Sequence, residues 1–324
     1  MKAGAGGGGK VLTNQAFWQS RVWREATESI CREGESPDEL GAWEQARRLW
    51  KARKGAKAVV TMGPRASLAY GVMCGAAGVE SRQVLCEVFL SEGHGWKERG
   101  KDALYRWVAG RALGALVNSR AEVATTTRRW GIAEERVKFV PICTTSETEF
   151  RAGTGERRVF CGGRTMRDWE TLWRAAEGIR GRVEVVAGAD DGLPDGGGVE
   201  VAREVPLEEF RRRMAAADVV ALPLRETERS TGQVVLLEAM SMGKAVVTTR
   251  LPGTVDYVRD GETGILTESG DAEGLAAAVN GLLDDPARSR RMGEAALEEC
   301  RGRFSPDAHA RARLAAIDEL VETR

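Results

Sequence analysis

Short apolar runs alternate with helical stretches along both halves of this chain, and no other feature of the sequence narrows the fold as much. In the first half, Val11–Thr13, Ala58–Met62, Val84–Leu90, Ala115–Asn118 and Val137–Pro141 read as strands. Between them, Trp43, Ala46, Leu49 and Trp50 recur at helical spacing and read as one apolar face. A helix follows Gly63-Pro64, a basic helix runs from about Lys97 to Leu113, and Glu122–Trp130 is a helix stopped by Gly131. In the second half, strands at Val159–Gly162, Val183–Ala187, Val199–Ala202, Val219–Leu222, Ala245–Thr248 and Gly264–Leu266 alternate with helices at Trp169–Ile179, Leu207–Ala216, Val234–Met242 and 272–284. This alternation predicts an α/β fold of two doubly wound domains. The polar stretch Thr144–Glu149 divides them into residues 1–146 and 147–305. Such sheets bind ligands at the carboxyl ends of their strands, so the expected site is a cleft between the domains.

Charge and composition exclude several classes. Lys+Arg and Asp+Glu both number 48, which argues against a general nucleic-acid binder. The balance hides an asymmetry. Residues 1–145 carry 23 Lys+Arg against 15 Asp+Glu, a net of +8, and residues 146–324 carry the opposite net of −8. The six cysteines are scattered and read as reduced, mostly buried thiols. With only His94 and His309, no histidine-rich metal site can be built. No run approaches the roughly 20 apolar residues of a membrane span, and the start lacks an apolar signal core. The expected location is the cytoplasm, with peripheral contact on the inner face of a membrane through the basic first domain. Gly4–Gly9 formally spells a phosphate-loop pattern, but it precedes the first strand and reads as a flexible tail.

Three segments carry candidate chemistry. Cys161-Gly162-Gly163-Arg164-Thr165-Met166-Arg167-Asp168 ends a strand in glycines and supplies two arginines that suit phosphate. Its bland alternative is a tight turn with solvated arginines. Ser230-Thr231-Gly232-Gln233-Val234-Val235 opens an apolar helix whose free N–H groups suit a diphosphate. Glu238, on the second turn of that helix, must be paired or hydrogen-bonded. A sugar diol is one partner, and a bond within its own domain is the other. Pro252–Tyr257 and Asp260–Gly264 read as a loop and hairpin.

From Val117 to Pro306 the ordered set resembles family 4 of the retaining glycosyltransferases. The matching stretches are Val117–Glu122, Gly163-Arg164, Leu237–Val247, Asp260–Leu266 and Arg303-Phe304-Ser305. The resemblance implies a GT-B fold of two Rossmann-like domains facing a central cleft, with the last helix, 306–324, returning to the first domain. It implies a nucleotide-sugar donor, a UDP-sugar foremost, held mainly by the second domain. Glu238 would hold the ribose hydroxyls. The family's first glutamate, which helps position the donor sugar, falls on Ser230, a departure; Thr231, Gly232 and Gln233 stand in its place. Arg164 matches the family's diphosphate-binding arginine. No lysine follows, and Arg167 is the nearest substitute. In the first domain, Asn14 matches the strand end that approaches the donor. His94 is the candidate for the histidine near the sugar, with Glu87 as an alternative polar group.

The expected reaction is a retaining transfer without a metal cofactor. Arg164, Arg167 and the N–H groups near Gln233, Val234 and Val235 would stabilise the leaving diphosphate, which would help deprotonate the acceptor hydroxyl. The acceptor would be a saccharide, a lipid-linked sugar or a small molecule. The rival reading is a non-catalytic nucleotide-sugar-binding or partner subunit with the same fold. An epimerase or phosphorylase fits less well, lacking acid–base groups or a cofactor lysine site.

Overall fold

The computed structural model of this protein describes residues 9–323 apart from 16, 18, 33, 34, 89–95, 146–148, 195 and 228. Residues 4–8 of the glycine tail, Leu90 and His94 therefore lie outside the described residues. The chain divides into two compact units, Met1–Val140 with His309–Arg324, and Pro141–Ala308. Among the described residues no helix is long and apolar enough to cross a membrane.

Unit 1 runs β1 (Val11–Thr13), α1 (Arg21–Ala26), β2 (Thr27–Ser29), α2 (Ala42–Ala52), β3 (Ala58–Met62), α3 (Pro64–Ala76), β4 (Gln83–Cys86), α4 (Trp96–Arg111), β5 (Gly114–Val117), α5 (Ala121–Trp130) and β6 (Val137–Phe139). Its strands form one parallel sheet in the order β2-β1-β3-β4-β5-β6. The order turns back between β1 and β3, which makes their carboxyl ends the natural ligand position of this unit. Two differences from the sequence reading have simple causes. β2 is a polar three-residue edge strand with no apolar run to announce it. Trp43 is 64 % exposed rather than core. At 100° per residue the buried stripe of α2 runs through Gln45, Ala46 and Leu49, and Trp43 falls on the far side of the helix. Trp50 is half-buried beneath Arg53, whose guanidinium lies 3.5 Å from the ring centroid.

Unit 2 runs β7 (Arg158–Gly162), α6 (Trp169–Ala176), β8 (Arg182–Ala187), β9 (Glu200–Arg203), α7 (Leu207–Ala216), β10 (Val219–Leu222), α8 (Gln233–Ser241), β11 (Ala245–Thr249), β12 (Ile265–Thr267), α9 (Ala272–Asp284) and α10 (Pro286–Gly302). The sheet is parallel throughout, in the order β12-β11-β10-β7-β8-β9. Its strands are buried on both faces. Val159, Cys161, Val219, Ala221, Ala245 and Val247 pack on one side, and Phe160, Val220, Leu222 and Val246 on the other, the alternation that a two-residue side-chain period produces. The hairpin expected at 260–264 is absent. β12 instead pairs parallel to β11, and Asp260 accepts the Leu266 N–H at 2.9 Å to make the turn between them.

The last helix, α11 (Pro306–Glu322), runs into unit 1. Gly114 shows how closely it packs, because a Cβ there would lie 2.6 Å from the Leu320 side chain. All six cysteines are free thiols, five of them buried.

Candidate functional site

The sheet of unit 2 reverses its strand order between β7 and β10. The loops leaving the carboxyl ends of those two strands therefore border the position where doubly wound sheets hold ligands.

The loop after β7 begins at Gly163 with φ +116°. A Cβ here would lie 2.2 Å from the Arg167 guanidinium, so the absence of a side chain lets that arginine fold under the loop. Arg167 is buried. Its Nε donates to the Gly162 carbonyl at 2.7 Å and its Nη1 to the Thr165 carbonyl at 3.0 Å. Burial pulls its pKa down, against the charges of Cys161 and Asp191. Arg164 points the other way. Its side chain is 70 % exposed and pairs with Glu204 at 2.9 Å. The sequence treats the two arginines as a phosphate-binding pair, and the structure separates them. Arg164 is the accessible cation, whereas Arg167 is turned inward and shapes the loop through its own carbonyls.

The loop after β10 meets the first loop at Leu224. Arg167 forms an isolated bridge with Leu224, and a Cβ on Gly232 would lie 2.8 Å from the Leu224 side chain. Gly232 takes φ +80° and precedes α8 without a side-chain cap. The first N–H groups of α8, on Gln233, Val234 and Val235, thus have no intrahelical acceptor. Val234 is exposed and Val235 packs against the unit 2 core. The buried Gln233 side chain donates to the Gly253 carbonyl at 2.9 Å. Thr231 is buried, and Ser230 lies so close to Gly253 that a Cβ on the glycine would sit 2.9 Å from its Cα. Pro252–Tyr257 is therefore the backing of the helix start.

Glu238 lies on the second turn of α8 and is 4 % exposed. Its Oε1 accepts from Arg211 Nε of α7 at 2.5 Å. The bond within its own domain is present, and Arg211 is the partner that sequence reasoning missed. Nothing in the run Arg211-Arg212-Arg213 singles out the first arginine. Only the helix phase turns it to Glu238, while Arg212 and Arg213 pair with Glu209.

A cavity of about 240 Å³ in unit 2 borders Gly153, Asp218 and Lys244, at the amino ends of the strands and away from these loops. Burial lowers the Lys244 ammonium to about 8. It donates to the Ala215 and Ala217 carbonyls and so closes the end of α7.

In unit 1, Asn14 follows β1 at the reversal point, but its side chain is committed. Its Oδ1 accepts the Met62 N–H at 2.7 Å, and its Nδ2 donates to Gln45 Oε1 at 2.6 Å and to the Met62 carbonyl at 3.1 Å. Both amide donors are used within unit 1. It locks β1 to β3. Asn14→Ala leaves a buried N–H and two acceptors unpaired, so we expect a loss of about 3 kcal/mol. A lowered Tm on thermal unfolding checks this, and an unchanged Tm would refute the lock.

Comparison with known proteins places this geometry. Residues 157–285 match the family described as Glycosyl transferases group 1. A GDP-mannose-dependent alpha-(1-6)-phosphatidylinositol monomannoside mannosyltransferase of Mycolicibacterium smegmatis is 38 % identical over 103 residues, covering 30 % of this chain and 26 % of the relative. An alpha-maltose-1-phosphate synthase of the same organism is 35 % identical over 136 residues, covering 40 % and 33 %. The matches thus span a third or less of these relatives' length. Among solved structures, Anabaena HepE in complex with UDP superimposes with a TM-score of 0.68 at 14 % identity, covering 95 % of this chain and 99 % of that one. Sucrose-phosphate synthase from Thermosynechococcus elongatus gives 0.66 at 19 % identity, covering 86 % and 77 %. These likenesses show the fold, which is GT-B.

Proposed function

We propose that this chain, whose residues 157–285 match glycosyl transferases group 1 and whose two units have the GT-B fold, is a retaining glycosyltransferase. Unit 2 binds a nucleotide-diphosphate sugar, a UDP-sugar foremost, and unit 1 supplies the acceptor side. The observation that carries the reading is that the two loops flanking the strand-order reversal supply an uncapped helix start, after β10, and an accessible arginine, after β7. Helix N–H groups and a guanidinium are the donors a diphosphate needs. Glu238, paired with Arg211 on the second turn of the same helix, supplies a carboxylate that can accept from ribose hydroxyls.

In the proposed step, the sugar C1–O bond to the diphosphate breaks and C1 bonds to the acceptor oxygen on the same face. The acceptor proton passes to the departing phosphate oxygen. Arg164 and the N–H groups of α8 stabilise the charge that collects on the diphosphate, and the reaction requires no metal ion. UDP as the nucleotide is supported by its presence in the Anabaena HepE structure. The acceptor is a saccharide, a lipid-linked sugar or a small molecule. Exposed Trp43 and Trp107, on the helices α2 and α4 of the basic unit, favour contact with an anionic membrane surface.

A thermal-shift panel of UDP, UDP-glucose and GDP-mannose tests the donor site with EDTA present. A bound ligand raises Tm by mass action. A rise with UDP or UDP-glucose is expected, and no rise with any of the three would overturn the reading. Ser230, neutral where the family carries a glutamate, favours one alternative, a partner subunit that binds the donor without transferring it. Release or transfer of sugar from a nucleotide sugar by the purified chain decides against that alternative.

A further inference from the structure

Glu87 follows β4 directly, at the carboxyl end of a central strand of unit 1. It adopts φ +51°. That left-handed backbone is uncommon for a side-chain-bearing residue and recurs at functional positions. The residue is half-buried, and among the described residues no hydrogen bond or salt bridge reaches its carboxylate. Burial raises its pKa, and the charge of Arg313 offsets only part of that rise.

Arg313 comes from the other end of the chain, on α11, and is 3 % exposed. It reaches the carboxyl ends of the neighbouring strands, donating to Gln15 Oε1 beyond β1 and to Met62 Sδ at the end of β3, 3.5 Å away. Its guanidinium lies 5.2 Å from the centroid of the Trp23 ring. Both Arg313 Nε and Trp23 Nε1 are buried without a hydrogen-bond partner among the described residues. Among the described residues no carboxylate forms a salt bridge with this arginine, although a buried charge ordinarily has one. Met62 is the register partner of Cys86, so the end of the unit 1 sheet holds the Glu87 carboxylate and the Arg313 guanidinium on adjacent strand ends without an ion pair between them.

The chemistry that suits both groups is a hydroxyl. It donates its proton to a carboxylate and accepts from an N–H with its lone pairs. An anion is repelled by Glu87 and a cation by Arg313. We propose that Glu87 binds a hydroxyl of a neutral polyol acceptor, a sugar or cyclitol ring, and that Arg313, which reaches the end of the neighbouring strand β3, is the positioning residue of this strand end. The inference rests on the reading of unit 1 as the acceptor side. It adds that the group bound at this strand end is neutral, despite the net positive charge of the surrounding sequence.

Saturation-transfer NMR with myo-inositol and methyl α-D-glucopyranoside tests it on the full chain, with UDP affinity measured in parallel by calorimetry. Wild type is expected to bind at least one polyol. Glu87→Gln is expected to weaken that binding by about tenfold or more, the worth of one charge-assisted hydrogen bond, with UDP affinity and Tm unchanged. Arg313→Lys should keep part of the polyol binding and Arg313→Met should lose it. Binding of neither polyol by wild type, full binding by Glu87→Gln, equal binding by the two Arg313 variants, or displacement of the polyol by inorganic phosphate would each overturn the proposal. Failure of wild type to bind UDP is a separate result, and it would sink the glycosyltransferase reading instead.

Discussion

Arg164→Ala is expected to lower sugar transfer by about 10²–10³-fold, the usual effect of removing one preorganised donor to a developing anion. The reasoning begins with exposure. The Arg164 side chain is 70 % exposed and its single described ion pair, with Glu204, is a surface contact. Surface pairs contribute at most about 1 kcal/mol to stability, so the variant should fold and its Tm should stay close to wild type. The domain around it is acidic overall, and no domain-wide field gathers the diphosphate. On the proposed reading, binding comes from local groups, among them the accessible charge of Arg164 and the partial charges of the α8 N–H groups. UDP affinity measured by calorimetry should fall together with the transfer rate, because the same contact serves ground state and leaving group. Full transfer by a folded Arg164→Ala chain would remove the diphosphate role. Arg164→Lys should recover only part of the loss, since an ammonium keeps the charge but not the planar fork.

Legibility in this chain follows burial. β3, β10 and α9 have the ends that the apolar pattern predicts, because each is a run with both faces or one full stripe buried. β2 is invisible because its register partner Val11–Thr13 supplies the apolar content and β2 itself only the backbone. α10 carries a start signal, Asp285 capping the Arg288 N–H ahead of Pro286, that the apolar pattern alone passes over. At the site, residue type and order are legible, but side-chain direction is not. Arg164 and Arg167 are equivalent on paper. They differ in the fold because the Arg167 guanidinium occupies the space that a Cβ on Gly163 would fill, while Arg164 faces solvent. Asn14 reads as a ligand from its place after a strand, and the same place makes it the clasp between β1 and β3. Arg313 and Glu87 are far apart in sequence, and only the return of α11 to unit 1 brings one charge to bear on the other.

Glu238→Gln is expected to weaken UDP binding by about 2 kcal/mol, or about thirtyfold, within the range for hydrogen bonds to a charged group. A buried carboxylate must be compensated, and Arg211 supplies the compensation through one hydrogen bond to Oε1. An ionised carboxylate has about four acceptor positions, so it can serve a ligand hydroxyl as well as an arginine. Two readings therefore compete. If Glu238 serves only to pin α7 to α8, removing either partner should lower Tm, and UDP affinity should stay constant. If it holds the ribose, Glu238→Gln should cost affinity out of proportion to its effect on Tm. Arg211→Gln should then behave differently. It leaves Glu238 ionised but less well held, and because Arg211 is about one-third exposed, water replaces part of its contact. Its penalty should appear mainly in Tm. Uridine separates the nucleoside contact from the diphosphate contact, because Arg164→Ala should leave uridine affinity unchanged while Glu238→Gln should lower it. Equal uridine affinity in wild type and Glu238→Gln would assign the carboxylate to the helix pair alone.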